Sequence, residues 1–233
     1  MLDFGAARKI DSNTWGALDF DNVRFGNPSI VAALKSAADG HHNCYTGSGS
    51  TDIAYGNNNL HMSGAGMSTT DAWYAGYYQS QRALELFNYQ LANGYNRQSA
   101  DAGSDMEPSW DGQLITKQLV NGDYGHGFAL YWDYGSADGC PSSGGNGGCN
   151  NGWTAYDVGY VSFAHLAVPV PEIYFTVNAD QWTNIRHVWG DSYSFFGTTG
   201  TVGIPGQLTP EAGWTALNTR NPGKVSPELL CFC

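Results

Sequence analysis

The residues of this chain best suited to chemistry are carboxylates at the ends of short apolar runs. Asp105 and Glu107 stand in Ser104-Asp105-Met106-Glu107-Pro108-Ser109-Trp110-Asp111. In an extended strand, side chains alternate, so Asp105 and Glu107 share one side, about 7 Å apart along the chain. Pro108 holds Glu107 extended and ends the strand, and Trp110 is an apolar neighbour of the kind that raises a carboxyl pKa. Glu172 sits among prolines and aromatics in Pro169-Val170-Pro171-Glu172-Ile173-Tyr174, and Asp133 in Tyr131-Trp132-Asp133-Tyr134-Gly135. Paired carboxyls are what glycosidic cleavage requires: one protonates the leaving oxygen, the other serves as nucleophile or base. We therefore expect Glu107 as the acid and Glu172 or Asp105 as its partner. Asp3, Asp133 and Asn57 are expected to hold a sugar, with Trp110 and Trp132 offering ring faces. The competing account has Asp105 and Asp111 capping the next helix, Glu107 in a salt bridge and Glu172 as a hydrogen-bonded core residue.

These positions depend on the elements that carry them. Leu2-Asp3-Phe4-Gly5 reads as a strand end, and Pro28 to Ala38 as a helix with Asn27 as N-cap. Thr51 to Tyr55 reads as a strand and Thr69 to Asn93 as a long helix capped by Thr70 or Asp71. Apolar residues recur along that helix at Tyr77, Leu84, Phe87 and Leu91. Strands are then expected at Ser99–Met106, Phe128–Trp132, Val168–Phe175 and Ser194–Phe196. Helices are expected at Gln113–Asn121, about Trp153–His165, Asn178–Trp189 and Thr209–Leu217, the last capped by Thr209 ahead of Pro210. Strand–helix alternation with short loops implies an α/β fold with parallel strands. No G-x-G-x-x-G or Walker loop follows any strand, and polar residues recur after nearly every strand. Both facts favour a TIM-like parallel (β/α) barrel, with one degenerate unit allowed, over an open doubly wound sheet. No Pro- or Ser-rich linker divides the chain, so residues 1–233 are expected to form a single domain.

Composition narrows the function classes. Hydrophobic residues make up 42% and charged residues only 13%, and the net charge is −11 with 10 basic residues. Arg8, Lys9, Arg24 and Lys35 are scattered, so no basic face for nucleic acid is expected. No apolar run approaches the roughly 20 residues of a membrane span. Many aromatics on a polar, acidic chain fit a glycan partner. Cys140 and Cys149 flank Pro-Ser-Ser-Gly-Gly-Asn-Gly-Gly, and a disulfide closing that loop is expected. One of Cys231 and Cys233 is within reach of Cys44 as a second pair. Paired short cysteine spacings for zinc are absent, and His41, His42, His61 and His126 read as loop residues, so neither a metal nor another cofactor is expected. Met1-Leu2-Asp3-Phe4-Gly5 reads as the edge of a mature domain whose export signal has been removed, and the protein is expected to be secreted.

The Asp105-x-Glu107 pair at a strand end, with acidic strand ends before and after it, resembles the secreted glycoside-hydrolase barrels of the family-25 lysozyme type. That resemblance implies Glu107 as acid, Asp105 as its companion and Asp3 as the pocket aspartate of the first strand. It covers short motifs and element order; Gly5 to Asn27 and the Cys140–Cys149 loop fall outside the pattern. The alternatives are a catalytically inactive extracellular carbohydrate-binding or structural domain on the same fold, and a metal-dependent hydrolase using Asp3, Asp105 and a histidine.

Overall fold

The structure is a computed structural model describing residues 1–128, 130–202 and 204–232. It is an α/β protein. Two compact units are present: Met1–Ser104 with Leu114–Tyr131, and Asp105–Gln113 with Trp132–Cys233.

The first unit carries β1 (Leu2–Asp11), β2 (Thr14–Leu18), β3 (Arg24–Phe25), α1 (Asn27–Cys44), β4 (Thr51–Asn58), α2 (Thr69–Ala92), β5 (Gln98–Asp105) and most of α3 (Gln113–His126). Its strand order is β3-β2-β1-β4-β5, with β1–β2 and β2–β3 antiparallel and β1–β4 parallel. The segment expected to be an insertion after Gly5 is instead the rest of β1 and a hairpin. Gly5, at φ 84°, sits where the β1–β4 register shifts, and a Cβ there would lie 2.3 Å from the Leu18 carbonyl oxygen. Only glycine tolerates that bulge.

The core of this unit joins Phe4, Ile30, Leu34, Ile53, Tyr55 and Leu86. Arg82 is buried within it, donates to Asn27 Oδ1 (2.7 Å) and to the Trp15 carbonyl, and lies over the Tyr55 ring. Asn27 is thus the first residue of α1 and an acceptor for Arg82, while Gly26 occupies the N-cap. Ser68, not Thr70 or Asp71, caps α2, with Asp71 completing a capping box. The buried face of α2 is Ala72, Ala75, Gly76, Gln79, Ala83 and Leu86, whereas Leu91 is exposed. Small residues face inward because the backbones nearly touch: a Cβ on Gly76 would meet the Leu119 carbonyl oxygen at 1.8 Å, and one on Gly122 the Trp73 carbonyl oxygen at 1.8 Å.

The second unit carries most of β6 (Tyr131–Asp133), then α4 (Ala155–Phe163), β7 (Ala167–Pro169), α5 (Thr176–Trp189), β8 (Phe195–Thr201), α6 (Pro210–Arg220) and β9 (Val225–Phe232). The run expected as one strand from Phe128 to Trp132 is ordered as β6 only from Tyr131, and Ala129 lies outside the described residues. The strand expected from Val168 to Phe175 stops at Pro169, since Pro169 and Pro171 have no N–H for a ladder. Pairing continues beyond it. The Val170 N–H donates to the Asp133 carbonyl (2.7 Å), that of Glu172 to Gly135 (3.1 Å), and Glu172 bridges Thr199 of β8 in parallel. β8 in turn pairs with β9 in parallel, a strand the sequence reading does not include. Around this sheet pack Val158, Phe163, Trp182, Ile185, Phe195 and Leu217, all buried. Thr209 caps α6 as expected, accepting from the Ala212 N–H.

Cys140 and Cys149 form the expected disulfide. Cys44 is a free, exposed thiol; the side chain of Cys231 and all of Cys233, its expected partners, lie outside the described residues. No helix among the described residues is long and apolar enough to cross a membrane.

Candidate active site

The last residue of β5 and the turn after it belong to the second unit. Gly135 packs directly on this turn, since a Cβ there would lie 2.1 Å from the Met106 carbonyl oxygen. The turn itself is closed by the Trp110 N–H donating to the Glu107 carbonyl (3.1 Å). It is clamped from outside: Asn151 donates to the Pro108 and Ser109 carbonyls (2.8 and 2.9 Å), Asn150 to Ser109 Oγ (2.8 Å), and the buried Trp153 Nε1 to the Asp111 carbonyl (2.7 Å). Those clamping residues follow Cys149, and the Asn150 N–H donates back to the Asp138 carbonyl (3.1 Å). The disulfide loop therefore ties its own two ends to the Glu107 turn.

Asp105, Glu107 and Glu172 converge: one carboxylate oxygen from each lies within 4.8 Å of the others. Asp105 and Glu107 meet because period-two alternation places them on one side of the chain, as expected. Glu172 reaches them from another segment. Its side chain is buried, with 7% of its surface exposed, and accepts a hydrogen bond from the Tyr174 hydroxyl. Glu107 is half-buried and shares a hydrogen bond with Asp138.

Crowding acids in a desolvated space disfavours their charge. Glu107 is pushed up to about 8, first by burial, then by the charges of Glu172 and Asp138 and by the hydrogen bond to Asp138. Glu172 is raised to about 7 by burial, against the pull of the Tyr174 hydroxyl, with Asp138 and Asp133 adding repulsion. The Tyr174 phenol is itself driven upward by burial and by the charge of Glu172, so it stays a donor. The charge of Glu172 helps to hold the proton on Glu107. The two carboxyls titrate as a pair.

The other expected site residues are placed differently. Asp133 has no exposed surface; its carboxylate accepts from the Gly135 N–H (3.2 Å), the Met106 N–H and the Ser162 hydroxyl, while burial raises it to about 7. It fastens the Met106 backbone. Trp132 is buried edge-on to Phe196, with 4.9 Å between ring centroids. Trp110 is partly exposed, and its backbone N–H closes the turn on the Glu107 carbonyl. Asn57 and Asp3 belong to the first unit. Asn57 is buried and committed to Gln79 (2.7 Å) and Ser104; Asp3 is exposed and accepts from the Gly5 N–H at the β1 bulge (2.7 Å).

Sequence reasoning missed Asp138 and Tyr174. Tyr174 was legible, since it lies two residues after Glu172 in extended chain and so projects to the same side. Asp138 carries a weaker signal, its position two residues before a cysteine of the expected disulfide.

The chain matches no protein-family model, no curated protein and no solved structure.

Proposed function

We propose that this protein is a secreted glycoside hydrolase that cleaves a polysaccharide or peptidoglycan-type glycan with retention of anomeric configuration. The observation that carries this reading is the Glu107–Glu172 pair, with carboxylate oxygens within 4.8 Å of each other and both pKa values displaced upward. Retaining enzymes hold their two carboxyls about 5–5.5 Å apart, whereas inverting ones need about 6.5–9.5 Å to admit a water. Glu107, its proton held by burial and by the hydrogen bond to Asp138, donates that proton to the leaving glycosidic oxygen. Glu172, ionised and steadied by the Tyr174 hydroxyl, attacks the anomeric carbon as that oxygen departs. Glu107, now a carboxylate, takes a proton from the water that releases the sugar from Glu172. Asp105 brings a third carboxylate oxygen to the pair, and the partly exposed Trp110, three residues after the acid, is the ring for a sugar face. The alternating strands and helices fit a (β/α)-barrel scaffold of the family-25 lysozyme type, and the Cys140–Cys149 disulfide fits an oxidising, extracellular setting.

A divalent cation is the second reading, because Asp105, Glu107 and Glu172 each offer an oxygen to one point. The Glu107–Asp138 hydrogen bond weighs against it, since two carboxyls share such a bond through a proton.

The test is hydrolysis of peptidoglycan and soluble polysaccharides, with product configuration read by proton NMR. Glu107→Gln should lower turnover about 10²–10⁴-fold and leave folding intact. Glu172→Gln should also abolish turnover, and azide added to Glu172→Gly should give a glycosyl azide of inverted configuration. Full activity in both Gln variants would remove the pair from catalysis, and loss of activity with EDTA would favour the cation.

A further inference from the structure

A separate feature of the first unit carries a ligand-binding inference. At the C-terminal end of α1 and the turn into β5 lies a cavity of about 240 Å³ lined by His41, His42, Tyr45, Tyr95, Asn96 and Arg97, among others. Its size is the scale of one sugar ring rather than a chain. It is a pocket open at the surface, with His42, Tyr45, Asn96 and Arg97 exposed, and its rings brace one another. Tyr45 is stacked on His41 with 4.7 Å between centroids and lies under the Arg97 guanidinium at 5.9 Å. Gly47 admits it, because any Cβ there would lie 2.3 Å from the Tyr45 hydroxyl. Tyr95 is stacked on His42 at 4.1 Å, and its hydroxyl donates to Asp39 (2.8 Å). Arg97 spends Nη2 on the Gly47 and Gly49 carbonyls (2.6 and 2.8 Å), leaving Nε and Nη1 without a partner among the described residues.

The pocket thus offers two ring–imidazole stacks and the exposed Arg97 guanidinium with donors to spare, in a chain of net charge −11. Rings suit the C–H face of a pyranose, and a guanidinium suits a carboxylate in a two-bond fork. We propose that this cavity binds a single sugar residue bearing a carboxylate, independently of the acidic pair of the second unit.

Titration of the full chain with D-glucuronate, D-glucose and inorganic phosphate, followed by isotope-edited NMR of Tyr45 and Tyr95, tests this. Glucuronate should perturb both tyrosines and bind at least about tenfold more tightly than glucose, the worth of one charge-assisted hydrogen bond. Arg97→Gln should reduce glucuronate binding to the level of glucose. Asn96→Asp, an exposed change that spares the Arg97 loop anchor, should weaken glucuronate and leave glucose unchanged. Glu107→Gln should alter none of this, so failure of the catalytic reading stays distinct. Equal binding of glucose and glucuronate, binding of phosphate as tight as glucuronate, or tyrosine signals that do not move would each overturn the proposal.

Discussion

Asp123 in the first unit and Glu107 in the second are both carboxylic acids held neutral by burial, yet their surroundings differ. Asp123 lies on α3 with 1% of its surface exposed, and neither of its carboxyl oxygens has a hydrogen-bond partner among the described residues. Burial pushes it well above the usual carboxylate range, and the charge of Asp101 adds to that. Glu107 is only half-buried, shares a hydrogen bond with Asp138 and responds to the ionisation of Glu172. Both acids are perturbed and both face another acid, but only Glu107 has a hydrogen-bonding partner among the described residues and surface open to solvent. A displaced pKa is therefore a weak sign of function until access and partners are added.

The contrast can be broken most severely at Glu107 itself, where the loss of about 10²–10⁴-fold in turnover for Glu107→Gln should have no counterpart in Asp123→Asn, which should keep full activity. Equal losses in the two variants would erase the distinction.

Next in size is the disulfide. It closes a loop with a sequence separation of 9, for which chain entropy predicts about 2–3 kcal/mol of stabilisation. The Cys140→Ser, Cys149→Ser double variant should lose that much in urea denaturation. Because the loop ends hold Asp138, the same variant should also let the Glu107 pKa fall, moving the alkaline limb of the pH–rate profile to lower pH. An unmoved limb would show that Asp138 is placed without the disulfide.

Asp123 sharpens the comparison through stability. An acid whose pKa is raised by folding carries no penalty below its unfolded value, about 3.9. It destabilises the native state progressively as pH climbs from there towards the folded value. Asp123→Asn should therefore flatten the fall in unfolding free energy between pH 5 and 8, and an unchanged slope would mean that Asp123 is already ionised in the folded protein.

The smallest expected effect is at Tyr174. The wild-type profile should be bell-shaped, with two limbs near about 7 and about 8 that belong to the Glu107–Glu172 pair. Tyr174→Phe removes a hydrogen bond to the Glu172 carboxylate, so the acid limb should move up while the alkaline limb stays. Movement of both limbs together would show that Tyr174 acts on the pair as a whole.

Much of this was written locally in the chain. Strand–helix alternation, the Thr209-Pro210 helix start and the Cys140–Cys149 closure follow from nearest-neighbour geometry and turn chemistry, and they are legible without a fold. So is the pairing of Asp105 with Glu107, because a period of two leaves no other choice. Other features required distant segments to meet. The hairpin after Gly5 depends on a bulge against Leu18, and β9 on a partner strand already in place. The inward face of α2 is set by the close approach of Gly76 to Leu119, which outweighs the apolar pattern along the helix. Tertiary structure alone brought Glu172 and Asp138 to Glu107 and buried Asp133, since a carboxyl's proton affinity depends on what desolvates it and which charges face it, and neither is a property of its sequence neighbours.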